Sequence, residues 1–127
     1  MTKRDEKLLT ETELELMNIL WEIKEGTVRD VISRLPKGRD LAYTSVSTIL
    51  RILEKKTVLK SVKVGKSHIY SPVVKRESYQ KKGLNHLIEN VFSGAPSSLI
   101  RTLLDSKKLK DEDLKALQEL ISSRIDS

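Results

Sequence analysis

The fold is decided by the segment YTSVSTILRILEKKTVLKSVKVGKSHIYS, which runs from Tyr43 to Ser71. In its first half, apolar side chains from Val46 to Leu53 recur at the i, i+3, i+4, i+7 spacing of an amphipathic helix. In its second half, valines interleave with polar residues before the turn pair Gly65-Lys66, and extended character resumes after it. The pattern predicts a helix from about Tyr43 to Lys56, followed by a β-hairpin.

Two further helices are predicted before this segment. Thr10 and Glu13 fit a capping box that opens a first helix, from about Glu11 to Lys24, and Glu25-Gly26 is expected to end it. Thr27 caps the second helix, which has a clean amphipathic stripe. Three helices and a hairpin are the order of a winged helix-turn-helix, a mainly α (α+β) fold whose third helix enters the major groove of DNA.

The third helix carries a polar face opposite its apolar stripe. The members of this face are Thr44, Ser47, Thr48, Arg51 and Lys55. Hydroxyl side chains are short enough to let the helix approach DNA, and the long cations reach phosphates or guanine edges. An ordinary solvated face is the alternative, but such faces favour Glu and Lys, and Glu54 is the one acid here. The hairpin adds Lys63 and Lys66 beside Gly65, and Tyr43 fits packing and DNA contact equally well.

The positive charge is concentrated in the middle of the chain. The 127 residues carry 24 Lys and Arg and 18 Asp and Glu, which gives a net charge of +6. Residues 37–82 hold 12 basic and 3 acidic residues, whereas residues 83–127 have a net charge of −1. A basic half joined to a nearly neutral half is typical of a polyanion-binding module with a second function, although lysine-rich surfaces are also common in other soluble proteins.

The C-terminal part is predicted to be a helical dimerisation region. A helix at about 75–92 precedes a break at Ser93–Pro96, a short helix, and a final helix from about Asp111. Two short helices with strongly apolar faces are not stable alone, so we expect pairing with an identical chain. The predicted interface residues are Leu84, Leu87, Ile88, Val91, Leu99, Leu103, Leu114, Leu117, Ile121 and Ile125. The expected domains are a winged-helix DNA-binding domain (1–74) and a dimerisation domain (75–127).

Composition and spacing argue against several other classes of protein. The chain has no cysteine, which excludes disulfides and thiolate metal sites. His68 and His86 are isolated, and no Ser or Thr has a nearby His–carboxylate pair, so we expect no metal, no cofactor and no enzymatic activity. Trp21 and Tyr70 are expected in the core. No apolar run approaches a membrane span and the first ten residues lack a signal peptide, which predicts a cytoplasmic protein without membrane insertion.

Four stretches together resemble the penicillinase repressor family, the BlaI/MecI/CopY-type transcriptional repressors. They are LTETELELM from Leu9 with Leu20-Trp21 after it, TVRDV from Thr27, LAYTSVSTIL from Leu41, and IYSP from Ile69. Each stretch is weak evidence alone, but their order and spacing match the family over about residues 9–125.

The resemblance implies a homodimeric repressor with an N-terminal winged helix and a C-terminal helical dimerisation region. It also implies binding to a palindromic operator on double-stranded DNA, and release when the signal of a membrane sensor leads to proteolysis by an inducing protease. Carried over by position, the resemblance places Thr44, Ser45, Ser47, Thr48 and Arg51 on the helix that reads DNA. It places Gly65 and Lys66 at the tip of the wing.

The chain departs from the family at positions that bear on function. The family's Arg-Leu-x-x-Lys-Gly is here the segment Ile52–Thr57, which lacks the Arg and the Gly. The wing's Gly-Arg is Gly65-Lys66, which keeps the charge but loses the bidentate guanidinium. The Asn-Phe bond that is cut in β-lactam-responsive members is replaced by Thr102-Leu103, and the cysteine cluster of copper-responsive members is absent. The inducing signal therefore stays open.

We predict a homodimeric, sequence-specific repressor of transcription that binds an operator through its third helix and wing. The competing hypothesis is a winged-helix protein–protein interaction module without a nucleic-acid role, which would use its aliphatic C-terminal surface as the interface. Binding to genomic DNA fragments at low and moderate salt distinguishes the two, because phosphate contacts make DNA binding strongly salt-dependent.

Overall fold

The computed structural model describes residues 8–127, and its elements follow the predicted order. The helices are α1 (Glu11–Ile23), α2 (Val28–Ser33), α3 (Tyr43–Lys55), α4 (Arg76–Asn90), α5 (Pro96–Asp105) and α6 (Asp111–Asp126). The strands β1 (Leu59–Val64) and β2 (Ser67–Pro72) form an antiparallel hairpin. A mainly helical winged helix-turn-helix with a helical C-terminal region is thereby confirmed. Residues 1–7, which make up most of the segment searched for a signal peptide, lie outside the described residues.

The chain divides into two compact units, and the boundary between them lies within α4. The first unit ends at Gly83 and contains α1, α2, α3, the hairpin and the first turns of α4. The second unit is Leu84–Ser127 and contains the end of α4 together with α5 and α6. Helix α3 and the hairpin therefore belong to one unit, and the predicted dimer residues belong to the other.

The predicted capping box at Thr10 and the predicted cap at Thr27 are both present, and Thr27 also forms a capping box. The Thr10 hydroxyl accepts a hydrogen bond from the Glu13 N–H at 3.1 Å, and the Glu13 carboxylate accepts one from the Thr10 N–H at 2.9 Å. Thr27 and Asp30 repeat this arrangement at the start of α2, with distances of 3.1 and 2.9 Å. These reciprocal bonds satisfy amide groups that have no partner inside the helix, and so they fix where α1 and α2 begin.

The end of α1 differs from the prediction. The sequence assigns the stop to Glu25-Gly26, but the helix ends at Ile23, and the residue with positive φ is Lys24, at 78°. Gly26 instead forms an antiparallel β-bridge with Tyr70 of β2, through two backbone hydrogen bonds of 2.9 and 2.8 Å. A Cβ at this position would lie 2.9 Å from the Ile23 Cδ1 and 3.0 Å from the Asp30 Cβ, so the close approach of the backbone to α1 and α2 favours glycine.

The core of the first unit is aliphatic. Its fully buried side chains are Leu16, Met17, Leu20, Val31, Val46, Leu50 and Leu53, with Leu59 almost so. Each contributes about 1.5–3 kcal/mol relative to an exposed position. Tyr70 joins this core from β2, which confirms the prediction. Trp21 is only partly buried at the edge of the core, because its indole N–H donates to the Val74 carbonyl at 2.9 Å and its ring lies 5.9 Å from that of Tyr79.

Candidate nucleic-acid interface

Helix α3 lies with its apolar stripe in the core and its polar face outward. Val46, Leu50 and Leu53 are fully buried on one side. The exposed residues predicted to contact DNA are Thr44, Ser45, Thr48, Arg51 and Lys55, and Ser47 is half-buried. The burial of the aliphatic stripe therefore fixes which hydroxyl and cationic groups the helix presents to solvent.

Tyr43 begins α3 and is not a core residue, since it is 49% exposed. Its ring lies beneath the guanidinium of Arg29, with 5.2 Å between the Arg29 Cζ and the ring centroid. This distance is within the range of a cation–π interaction. Because Arg29 belongs to α2, the contact joins the two helices of the helix-turn-helix at their exposed surface.

The wing presents its cations at the tip of the hairpin. Gly65 has a φ of 62°, a conformation that glycine adopts without strain, and Lys66 completes the two-residue turn. In the strand register, Lys63 lies opposite His68. All of these residues are exposed. The predicted wing residues therefore lie together at one end of the hairpin.

A groove of about 340 Å³ separates α3 from the wing, and we call it the α3–wing groove. From the helices, its walls include Arg29, Tyr43, Ser47, Arg51 and Glu54. From the wing they include Lys66, His68 and Tyr70. Four of the predicted residues thus share one concave surface, namely Tyr43, Ser47, Arg51 and Lys66, and Arg29 contributes to it from α2. The other predicted residues are exposed outside its wall, and they are Thr44, Ser45, Thr48, Lys55, Lys63 and Gly65.

The cations around this groove have no acidic partner among residues 8–127. Arg29, Arg51 and Lys66 form no ion pair with any described residue. By contrast, Arg39 pairs with Glu15 at 3.0 Å, and Lys56 pairs with Glu13 at 2.9 Å. Positive charge that is not neutralised within the protein remains available to an external anion such as a phosphate.

Glu54 is the one acidic side chain in the wall of the groove, and it is engaged by the wing. Its carboxylate accepts a hydrogen bond from the Ser61 hydroxyl at 2.7 Å, which joins α3 to β1. Burial raises the pKa of the Tyr70 hydroxyl, the charge of Glu54 raises it further, and Arg51 opposes the change. Tyr70 is therefore neutral at physiological pH, and Glu54 serves to hold the wing against α3.

Arg29 is the groove residue that sequence reasoning missed. The basic stretch in the sequence begins at residue 37, so it does not include Arg29. Taken alone, Arg29 is a single charged residue on the predicted amphipathic α2. Its place in the groove depends on the packing of α2 against α3, which brings it to Tyr43. The nearest signal in the sequence is its position within the TVRDV stretch that resembles the family.

The segment that leads from α3 to the wing turns through a strained residue. Thr57 has a φ of 62°, in the left-handed region that β-branched residues rarely adopt. Its N–H donates to the Glu54 carbonyl at 3.0 Å, and the next N–H, of Val58, donates to the Leu53 carbonyl at 2.9 Å. Thr57 stands where the resemblance implies a glycine, and a glycine would adopt this backbone conformation without strain.

The residues predicted to form a dimer interface are not buried within the single chain. Seven of them are exposed, namely Leu84, Leu87, Val91, Leu103, Leu114, Ile121 and Ile125. The remaining three, Ile88, Leu99 and Leu117, are half-buried. The second unit therefore leaves a large aliphatic surface in contact with solvent.

Other kinds of site find no support in the part of the chain that the structure describes. Over residues 8–127, no three His, Asp or Glu side chains are grouped closely enough to hold a metal ion. His68 lies in the wall of the α3–wing groove, and His86 is exposed on α4. Within the same residues, every helix is too short or too polar to span a bilayer.

Comparisons with known proteins agree with one another. The model of the penicillinase repressor family matches residues 9–123. The penicillinase repressor of Bacillus licheniformis is 23% identical over 113 residues, which cover 89% of this chain and 88% of that protein. An uncharacterized 16.5 kDa protein of Latilactobacillus sakei is 27% identical over 116 residues, which cover 91% of this chain and 80% of that protein.

A solved structure gives the same result for the fold. The DNA-binding domain of the repressor BlaI is similar with a TM-score of 0.50 and 28% identity. The similarity covers 56% of this chain and 87% of that domain.

Proposed function

The chain belongs to the penicillinase repressor family, and from that premise we propose that it is a homodimeric repressor of transcription. It binds a palindromic operator through α3 and the wing, with residues 1–74 as the DNA-binding domain and residues 75–127 as the dimerisation domain. The observation that carries the proposal is the outward face of α3, where hydroxyl groups and cations stand beside a wing whose lysines have no acidic partner in the described chain.

The chemistry of this surface favours DNA over another anionic partner. Short hydroxyl side chains such as Thr44 and Thr48 let the backbone of a helix come close to base edges in the major groove. Arg51 and Lys55 are long enough to reach bases or phosphates from the same face. A helix and an adjacent hairpin that present these groups together match the docking geometry of winged helix-turn-helix proteins.

The exposed aliphatic surface of the second unit supports dimerisation. Large apolar side chains such as Ile121 and Ile125, 55% and 74% exposed in the single chain, are costly to leave in water. Pairing with a second copy covers the same surface on both chains by two-fold symmetry. A two-fold symmetric dimer then presents two α3 helices to two half-sites, which explains why the operator would be palindromic.

Release from the operator is proposed to depend on another protein in the cytoplasm. The bond at Thr102-Leu103 lies on α5, and both residues are exposed. Because Asn-Phe is missing there, an inducing protease would need to recognise a different sequence.

A selection experiment with the full chain tests the proposal. The chain is incubated with short genomic DNA fragments, the bound fragments are sequenced, and affinities for the selected duplex and a scrambled duplex are measured at several salt concentrations. We expect an inverted repeat whose half-sites are separated by whole helical turns. We also expect the logarithm of the binding constant to fall by about 0.9 per neutralised phosphate for each tenfold rise in salt.

Two results would contradict the proposal. Equal affinity for selected and scrambled duplexes would show that the protein binds DNA without reading its sequence. Absence of binding to any fragment at low salt would favour the competing role, a module that binds other proteins through its C-terminal surface.

A further inference from the structure

The α3–wing groove is lined by cations that do not all belong to α3. Arg29, Arg51 and Lys66 line it from three different elements, and Ser47 adds a hydroxyl from its wall. None of the three cations has an acidic partner among the described residues. The groove thus joins convergent positive charge to a hydrogen-bonding group in one concavity.

Arg29 is held in the groove by a neighbouring side chain rather than by an ion pair. Its guanidinium lies 5.2 Å from the centre of the Tyr43 ring, so the ring restricts the side chain without neutralising its charge. A cation–π contact with a ring uses none of the hydrogen-bond donors of the guanidinium. Arg29 is therefore a pre-positioned cation with free donors.

Glu54 lowers the positive potential of the groove but does not cancel it. Its carboxylate already accepts the hydrogen bond from Ser61, and three cations face one acid in the groove wall. An anion that enters from solvent therefore still meets a net positive surface. Arg29 has no carboxylate partner among the described residues.

The position of the groove identifies the class of anion. It lies between α3, which carries the surface proposed to enter the major groove, and the wing, which carries lysines at its tip. When a helix occupies the major groove of a duplex and a hairpin contacts it alongside, a phosphate backbone passes between the two elements. The ligand that fits this position is a backbone phosphate of the operator.

We propose that the α3–wing groove binds a DNA backbone phosphate and that Arg29, held by its cation–π contact with Tyr43, binds this phosphate. This inference rests on the proposed function. Phosphates carry no sequence information, so Arg29 contributes affinity equally to every duplex. Its role thereby differs from that of a residue such as Thr48, which would contact base edges.

The test compares Arg29→Gln with Arg34→Gln in the full chain. Both substitutions remove one exposed arginine from the region of α2, but Arg34 follows the last residue of the helix and is not part of the groove wall. Affinities for the selected duplex and for a scrambled duplex are measured across a salt series. Circular dichroism and thermal unfolding check that both variants keep the fold.

We expect Arg29→Gln to weaken binding to both duplexes by about tenfold, the loss of one charge-assisted hydrogen bond. The slope of log K against log salt should become shallower by about 0.9, the contribution of one phosphate. Arg34→Gln should leave the slope unchanged. Tyr43→Leu should weaken binding too. The double variant should lose less affinity than the product of the two single fold-changes, because the two residues act as a pair.

The outcomes separate this inference from the proposed function. If the unmodified chain binds no duplex, the proposed function is wrong and the inference with it. If the unmodified chain selects an operator but Arg29→Gln behaves like Arg34→Gln, only the inference is wrong. It is also wrong if Arg29→Gln weakens binding to the operator alone, since that result would assign Arg29 to base reading.

Discussion

The Lys56 Nζ lies 2.9 Å from the Glu13 Oε2, and this ion pair joins the end of α3 to the first turn of α1. The same carboxylate accepts the Thr10 N–H in the capping box, and Glu13 is buried. Burial alone would raise the pKa of Glu13, but the hydrogen bonds from Lys56 and Thr10 outweigh it, and the pKa is lowered from its ordinary value. One side chain thus fixes both the start of α1 and the end of α3.

Replacing this carboxylate should change how stability depends on pH. We expect Glu13→Gln to destabilise the fold by about 1–2 kcal/mol near neutral pH, because hydrogen bonds to a charged group are lost while exposure of Lys56 weakens the pair. Since the pKa of Glu13 is lower in the folded state, its contribution is present above the unfolded pKa and disappears as the pH falls through the folded pKa. Urea unfolding at several acidic pH values measures this loss, which the variant should lack.

The control for this prediction is Glu15→Gln. Glu15 also forms an ion pair, with Arg39, but it is half-buried rather than buried and belongs to no capping box, so we expect a smaller contribution from it. Equal stability changes in the two variants, with parallel pH profiles, would contradict the role given to Glu13.

Relief of strain at Thr57 should stabilise the protein. A β-branched residue at a φ of 62° costs about 1–3 kcal/mol, and glycine removes that cost while adding some freedom to the unfolded chain. We therefore expect Thr57→Gly to raise the free energy of unfolding by about 0.5–1 kcal/mol in urea titrations. Thr57→Ala, which keeps a Cβ, should gain less. A destabilised glycine variant would show that the threonine side chain makes a contact worth more than the strain.

Two glycines should respond to alanine in opposite directions. Gly26→Ala places a Cβ 2.9 Å from the Ile23 Cδ1 and 3.0 Å from the Asp30 Cβ, and we expect a loss of about 1–3 kcal/mol. Gly83→Ala is the matched control within α4, where an added Cβ meets nothing within 4 Å and helix propensity should gain about 1 kcal/mol. Thermal unfolding of both variants measures the difference, and a neutral Gly26→Ala would mean that the Ile23 and Asp30 side chains make room for the added Cβ without cost.

The hydroxyl face of α3 should determine sequence preference. Thr48→Val keeps the shape of the side chain but removes its hydroxyl, and we expect discrimination between operator and scrambled duplex to fall by about 1–3 kcal/mol. Thr102→Val, an equally exposed change on α5, should have no effect on DNA binding. Anisotropy titrations with both duplexes measure the difference. An equal loss on both would remove Thr48 from the residues that read bases.

The aliphatic surface of the second unit should control the oligomeric state. Ile121 is 55% exposed in the single chain, so Ile121→Asp should not unfold the monomer but should raise the dimer dissociation constant by tenfold or more. Sedimentation equilibrium measures this constant. Ser122→Asp adds the same charge at the next position of α6 and should have a smaller effect. A dimer that is unchanged by Ile121→Asp would place the interface elsewhere.

Local patterns in the sequence were sufficient for much of the fold. The capping boxes at Thr10 and Thr27 depend on residues three apart, and the hairpin depends on a two-residue glycine turn, so each could be recognised within one segment. The apolar stripe of α3 likewise fixed which of its residues are exposed. Family membership was predicted from short stretches in the right order, and the family comparison confirmed it.

Features that depend on contacts between distant segments were missed. Gly26 was interpreted as a helix stop because nothing in its neighbourhood reveals the hydrogen bonds to Tyr70. Arg29 was not assigned to the site, since its contact with Tyr43 exists only when α2 packs on α3. The carboxylate of Glu13 was recognised as a cap, but its pairing with Lys56, 43 residues away, was not.

The two hydrogen bonds between Gly26 and Tyr70 anchor the hairpin to the segment that precedes α2. The part of the hairpin that projects beyond this anchor is its tip, from about Lys63 to Ser67. Substitutions at the tip change what the hairpin contacts without weakening the packing of Tyr70 in the aliphatic core. We therefore expect substitutions at the tip of the hairpin to change its contacts with DNA, and substitutions at Gly26 or Tyr70 to destabilise the fold.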